Sequence, residues 1–417
     1  MEQRRASFRR KAEARDTRLA KKRRQNAAPQ QSPAKYPQGA RRIGKAAKPL
    51  TAAQRVCCGE EERGSGRCFR PQAEAEPSGP CVDDERRDTL SHRKDTDYLT
   101  VSARIRAMEN RLLTRERMDR MIEARDDSEA MKVLTECGYP DGGGSLDGVL
   151  AQARADTFRD IENASPDRRL TEMFQLKYDY HNAKVLVKAK AVGADPERLL
   201  LPGGRYDPQQ LLDGWRREEL RGCSERFQQA VKQAQAVLAE TRDPQQADLI
   251  LDKACYGEMG VLADELDSEF LRGYVRLAVD VANLRAAVRV YRMGKEGDFL
   301  RQVLLEGGNV SPQSIAAARG DALGEIFRAG PLAQAAEMGA GRTQPGSGAL
   351  TGFEKACDDA LTAYLSAARR IPFGEQTVVG YLYAKEAELT AIRTIFAGRA
   401  AGLDGDTIRA RLRETYV

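Results

Sequence analysis

The chain has two histidines, His92 and His181. Nucleophilic catalysis by Ser–His–Asp or Cys–His, and His-bearing metal sites, need an imidazole held beside its partners. Neither histidine has such surroundings. His92 stands in a basic stretch punctuated by Pro and Gly, and His181 is a lone imidazole beside Asn182. The eight cysteines fall as Cys57, Cys58, Cys68 and Cys81, then Cys137, Cys223, Cys255 and Cys357, without the paired spacing of a zinc site or a disulfide framework. They fit a reducing compartment. Gly339 to Gly348 is glycine-rich but lacks the GK[ST] ending of a phosphate-cradling loop. The neighbouring carboxylates Asp358–Asp359 and Glu386/Glu388 have the chemistry for acid–base work. In a chain that is 31% charged, such pairs read as solvated helix surface. Lys385 and Glu388 differ from these because they lie close to the apolar line Val378, Tyr381, Leu382, Leu389, Ile392 and Phe396. Charges beside a buried stripe are costly unless paired, so both are expected to pair with another part of the chain or, second in order, a partner. No catalytic residue, cofactor site or metal ligand is expected.

The pattern that does stand out is an internal repeat. Asp179-x-x-Asn182-Ala183-Lys184 recurs as Asp280-x-x-Asn283-Leu284-Arg285 and as Glu388-x-x-Ala391-Ile392-Arg393. Each acid stands 14 residues before a glycine: Gly193, Gly294 and Gly402. The copies lie 101 and 108 residues apart. A second anchor, Leu200-Leu201-Pro202-Gly203-Gly204 with Pro208, returns 104 residues later as Leu304-Leu305-Glu306-Gly307-Gly308 with Pro312. On a helix the acid and the amide share a face at i and i+3. The spacing Phe270, Tyr274, Leu277, Val281, Leu284, Val288, Tyr291 makes an apolar stripe that must be buried along one side. A closing glycine supplies the left-handed residue that ends a helix. Asp207-Pro208 and Ser311-Pro312 are N-cap and first-turn proline of the next helix. Each unit is thus a long helix, a glycine-rich turn and a shorter helical hairpin, and such units bury their faces only against one another.

Composition agrees with an all-α protein: hydrophobic residues are 41% and aromatics 6%. Residues 1–95 carry 24 Lys/Arg against 13 Asp/Glu, and the remaining 322 carry 44 against 49, so the basic balance belongs to the N-terminal stretch. That stretch, with runs such as Lys21-Lys22-Arg23-Arg24, reads as a disordered basic extension with few large aliphatic residues. The mildly acidic remainder speaks against nucleic-acid binding. No apolar run approaches the roughly 20 residues of a membrane span. The apolar positions 98, 101, 105, 108 and 112 predict a helix, Thr114 can cap the next one, and a break at 140–144 precedes a helix from about Leu146. The expected divisions are 1–95 (extension), 96–193, 194–294 and 295–417 (three helical repeats). The residues expected to matter structurally are Asp179, Asn182, Lys184 and Gly193; Asp280, Asn283, Arg285 and Gly294; and Lys385, Glu388, Arg393 and Gly402.

The run Lys385 to Leu403 with the ending Arg409 to Val417, the opening Asp97-Tyr98 through Glu109 with Leu112-Leu113, and the Asp-x-x-Asn helices between them resemble the C subunit of the V/A-type rotary ATPases, whose eukaryotic counterpart is called the d subunit. The resemblance covers about residues 96–417. The third copy departs from it, with Ala391 where the family often has Asn, and the N-terminal extension lies outside it. The resemblance implies a funnel-like body of three pseudo-threefold-related repeats, peripheral to the cytoplasmic face of a membrane and present once per complex. It implies a non-catalytic central-stalk connector between shaft subunits D and F and the proteolipid rotor ring, passing torque between ATP turnover and proton or sodium movement. A generic helical-repeat adaptor is the alternative. It would form an open superhelix, whereas the connector would close on itself. A nucleic-acid binder acting through the basic extension comes third.

Overall fold

The computed structural model describes residues 93–140, 145–295 and 297–417, all within one compact unit, Pro80–Val417. The readings made for residues 1–92, including the basic runs, His92, Cys57, Cys58, Cys68 and Cys81, lie outside the described residues. Among the described residues there are sixteen α-helices and no β-strand. After a 3-10 turn at Asp95–Tyr98 come α1 (Leu99–Glu109), α2 (Arg115–Glu123), α3 (Asp127–Glu136), α4 (Leu146–Ala164) and α5 (Arg169–Val192). These are followed by α6 (Pro208–Arg216), α7 (Glu225–Thr241), α8 (Pro244–Glu265) and α9 (Glu269–Arg292). The chain ends with α10 (Gly297–Val303), α11 (Pro312–Ala317), α12 (Asp321–Ile326), α13 (Ala333–Ala340), α14 (Thr351–Ser366), α15 (Glu375–Ala400) and α16 (Gly405–Arg411).

The helix starts follow from local chemistry. Side chains of Thr114, Asp126, Ser145, Asp207, Ser224, Asp243, Ser268, Ser311 and Asp404 each accept a hydrogen bond from a first-turn N–H. Each such cap contributes about 1 kcal/mol. Pro208, Pro244 and Pro312 occupy the first turn, where the missing N–H costs nothing.

The three long helices are α5, α9 and α15, of 24, 24 and 26 residues, and 14 residues of each are buried. That share exceeds what a one-sided stripe would bury, so each long helix is enclosed on several sides. Their N-terminal halves meet one another. Phe174 stacks on Tyr274 at a centroid distance of 6.0 Å, and Tyr274 meets Tyr383 edge-on at 6.4 Å. Their C-terminal halves separate into different surroundings. Leu186 and Val187 of α5 share a core with Phe227 and Val231 of α7 and Leu251 of α8. Leu284 and Val288 of α9 pack with Leu300, Ile315 and Phe353. Leu389, Ile392 and Ile395 of α15 pack with Met121 of α2, Leu134 of α3, Leu150 of α4 and Ile408 of α16. The last of these cores is therefore built from both ends of the chain.

A brace lies between each pair of long helices. Helix α8 packs on α5 and α9, α14 packs on α9 and α15, and α4 packs on α15 and α5. The order α4–α5–α8–α9–α14–α15–α4 closes on itself, and each brace immediately precedes a long helix in sequence.

Candidate functional site

The acids of the repeat are buried on the long helices, and each holds the turn that starts another helix, downstream for Asp179 and Asp280 and near the start of the fold for Glu388. Asp179, fully buried, accepts from Arg205 Nε at 2.7 Å and from the Tyr206 N–H at 3.4 Å. Asp280 accepts from Asn309 N–H at 3.1 Å, Asn309 Nδ2 at 2.8 Å and Val310 N–H at 3.2 Å. Glu388 accepts from the Leu113 N–H, from the Tyr139 hydroxyl and from Lys385 Nζ at 2.7 Å. Tyr206, Val310 and Leu113 hold one equivalent position. Each is the residue immediately before an N-cap, namely Asp207, Ser311 and Thr114. In the first two units a glycine makes the short aspartate sufficient, because a Cβ on Gly204 or Gly308 would collide with Asp179 Oδ1 or Asp280 Oδ1. In the third unit, glutamate is one methylene longer and the turn carries no such glycine.

The amide three residues on acts as a clamp. Asn182 donates to the Leu201 carbonyl at 2.9 Å and accepts from its N–H at 2.8 Å. Asn283 makes the same two bonds to Leu305 at 2.9 and 2.8 Å. Ala391 has no amide to do this, so the third copy lacks the clamp. The basic residue at i+5 reaches the brace in each unit: Lys184 pairs with Asp252 of α8 at 2.5 Å, Arg285 with Glu354 and Asp358 of α14 at 2.7 Å each, and Arg393 with Asp147 of α4 at 3.2 Å. The Arg285 group is the most enclosed, and Arg393–Asp147 is a surface pair worth under about 1 kcal/mol. Gly193, Gly294 and Gly402 each have φ +67°, the left-handed turn that ends each long helix. Every repeat residue singled out from the sequence is thus placed; the three sets do not form one joint cluster, and the third finds its partners Leu113, Tyr139 and Asp147 in the expected first division, 96–193.

Two further polar centres had no sequence signal of comparable strength. Arg205 bridges Asp179 to Glu258 of α8 (Nη1 to Oε1, 2.8 Å), and Glu258 also accepts from Tyr180 and Ser224 hydroxyls at 2.8 and 2.9 Å. Burial raises Asp179 to about 6 despite the pull of Arg205, while Glu258, also opposed by burial, is held below its ordinary value by Arg205 and the two hydroxyls. Arg205 lowers both acids, but burial outweighs it at Asp179 and not at Glu258, so their net shifts have opposite signs. Asp179 is the more deeply buried and adds only backbone donors, whereas Glu258 adds two short hydroxyl bonds. Burial likewise raises Asp280. In the second centre Glu386, read from sequence as solvated, is buried. It accepts from Arg154 at 3.1 Å, Lys177 at 2.7 Å and the Tyr178 hydroxyl at 2.6 Å. Burial opposes its charge, yet Lys177 and Arg154 carry it below the usual carboxylate range. This centre joins α15 to α4 and α5. A hint was available for Arg205, since it and Asn309 both follow the repeated Gly-Gly. For Arg154 and Tyr139 nothing local pointed to the partner. Asp358, half of another carboxylate pair, is bound by Arg285 and Arg413. His181 is exposed, and burial of its ring lowers its pKa.

Among the described residues no group of three or more His, Cys, Asp or Glu is placed to hold a metal ion, and no helix is long and apolar enough to cross a membrane. The buried carboxylates of the long helices are committed to amides, hydroxyls and cations of the fold itself. A closed ring of long helices and braces, pinned by such anchors, defines a rigid helical scaffold. The family model of the ATP synthase (C/AC39) subunit matches residues 101–411, and the chain belongs to that family. It is similar to the C subunit of the V-type sodium ATPase of Enterococcus hirae (20% identity, covering 77% of this chain and 99% of the relative). It is also similar to the C subunit of the A-type ATP synthase of Haloferax volcanii (29%, covering 63% and 80%) and to that of the V-type ATP synthase of Thermus thermophilus (25%, covering 51% and 68%). The family places the chain in a V/A-type ATPase complex, as a structural component rather than a catalytic one.

Proposed function

We propose that the chain is the central-stalk connector of its complex, joining shaft subunits D and F to the proteolipid rotor ring and passing torque between them. It would sit peripherally on the cytoplasmic face, one copy per complex, touching the membrane only through its partners. The observation that carries this reading is the closed order of long helices and braces. A body that transmits torque must not unwind, and a ring of helices in which every long helix is braced on both sides resists twisting better than an open stack, whose ends are each held from one side only. We further propose that the sequence repeats at 96–193, 194–294 and 295–417 express three equivalent units, with the third completed by helices from the N-terminal end. The generic adaptor, built as an open superhelix, fits this closure less well.

The test is purification of the assembled ATPase from cells with and without the chain. The connector role expects shaft subunits D and F to separate from the proteolipid ring when the chain is missing, while ATP hydrolysis by the detached catalytic part persists without ion transport. Shaft and ring that stay joined and coupled without it would end the proposal.

A further inference from the structure

A cavity of about 240 Å³ opens where α1, the end of α3, α4 and α15 meet, at the seam between the two ends of the chain. Arg111, Tyr381, Lys385, Asp156 and Asp160 line it. Arg111 is exposed, its backbone N–H donates to the Met108 carbonyl, and its guanidinium has no ion-pair or hydrogen-bond partner among the described residues. Its side chain lies over Gly138, where an added Cβ would stand 3.6 Å from Cδ and 3.8 Å from Nη1. Tyr381 is 3% exposed, yet its hydroxyl makes no hydrogen bond among the described residues. Lys385 gives one N–H to Glu388 and one to the Tyr139 hydroxyl at 3.0 Å, which leaves its third free.

The four charges lining the cavity balance in number, but three of them are paired with residues outside it. Asp160 is paired with Arg104 at 3.1 Å, Asp156 with Arg159 at 3.1 Å, and Glu388 with Lys385 at 2.7 Å. Arg111 is left as one unmatched positive charge. Beside it stand two further donors with no acceptor, the Tyr381 hydroxyl and the third Lys385 N–H. A guanidinium presents paired donors that match the two oxygens of a carboxylate. We propose that this cavity binds a single carboxylate, supplied either by a small free acid or by an Asp or Glu side chain of a partner protein. Because its walls come from both chain ends, occupancy would also tighten the closure of the third unit.

The test is thermal unfolding of the full-length chain in sodium acetate against sodium chloride at equal ionic strength, alongside Arg111→Met and Tyr381→Phe. The site expects a saturable rise of the midpoint in acetate for the wild type, with half-saturation moved about tenfold higher in each variant, the loss of one charge-assisted bond. If Arg111→Met also weakens incorporation into the assembled ATPase, the natural occupant is a partner side chain; if incorporation is unchanged, it is a free acid. Coincident acetate and chloride curves for the wild type, or an acetate effect equal in wild type and variants, would overturn the assignment. Circular dichroism shows that each variant is folded before it is compared.

Discussion

Glu388 accepts the backbone N–H of Leu113 across 275 residues of sequence. Asp179 makes the corresponding bond to Tyr206 and Asp280 to Val310 over intervals of 27 and 30 residues. One local design, an acid on a long helix holding the residue before an N-cap, is therefore met twice by the chain just downstream and once by the opposite end. The same holds for the basic residues. Lys184 and Arg285 reach braces that follow them, whereas Arg393 reaches Asp147 on a helix near the start of the fold.

Removing this closing bond is expected to be costly. In Glu388→Ala the part-buried Lys385 ammonium and the buried Tyr139 hydroxyl and Leu113 N–H lose their acceptor, a loss of about 3 kcal/mol. Glu388→Gln keeps an acceptor oxygen and is expected to lose less. Replacing Lys385 and Glu388 together by Met removes both charges and is expected to recover much of the loss. Urea denaturation with a shared m-value measures all three.

The Asn clamps give a second expectation. Asn283→Ala leaves both the N–H and the carbonyl of buried Leu305 without partners, at about 2 kcal/mol or more. Asn182→Ala does the same to Leu201 where the surroundings are only partly buried, and its cost is expected to be smaller. The two sites share no partner, so the double variant is expected to equal the sum of the singles within about 0.5 kcal/mol. A marked departure from additivity would mean that the two units are energetically linked through their long helices.

Much of this was legible in the sequence, and the boundary of legibility has a physical cause. Asp179 with Asn182, and Asp280 with Asn283, repeat at helical spacing, and their partners in the Leu-Leu-x-Gly-Gly turns follow close behind, so both motif and mate recur together. Lys385 and Glu388 were expected, from their nearness to an apolar line, to pair with another part of the chain; they also pair with each other, and Tyr139 and Leu113 could not be named in advance, because contacts across the chain ends leave no local spacing to read. Glu386 was read as solvated surface. It is buried because Arg154 and Tyr178 of two other helices converge on it, and neither has a repeated counterpart that would have marked it. The one-sided stripe on α9 was also an underestimate, since a helix between two braces is covered on more than the face its largest side chains define.

A pH dependence follows from Asp179, whose folded-state value of about 6 lies above the ordinary 3.8. Between those values the native state holds a proton that the unfolded state has lost, so this residue's contribution to stability falls as pH rises from about 4 to about 6. Asp179→Asn cannot titrate and is expected to flatten that part of the stability profile, even though its overall stability is lower. Glu258 works in the opposite sense: its depressed value adds stability above the unfolded carboxylate range that is lost as pH falls through it. Glu258→Gln is therefore expected to make stability fall less on acidification. Urea midpoints between about pH 3 and pH 7 for wild type and both variants decide the matter, and identical slopes in all three would contradict it.

The glycines separate space from backbone conformation. Gly193 and Gly294 have φ +67° with nothing within 4 Å of an added Cβ, so Gly193→Ala and Gly294→Ala meet only the left-handed strain, about 1 kcal/mol. Gly308 has no such conformation, but its added Cβ would strike Asp280 Oδ1 and lie 3.2 Å from both Asp280 Cγ and Val279 Cγ1. Gly308→Ala must therefore displace the buried carboxylate from Asn309 and Val310, and it is expected to cost about 3 kcal/mol or more. If the collision with the carboxylate is the cause, Gly308→Ala costs much less in an Asp280→Ala background, where that carboxylate is gone. Chemical denaturation of the four proteins in this cycle measures the coupling, and an undiminished cost in the double variant would show that the turn needs glycine for some reason other than the approach of Asp280.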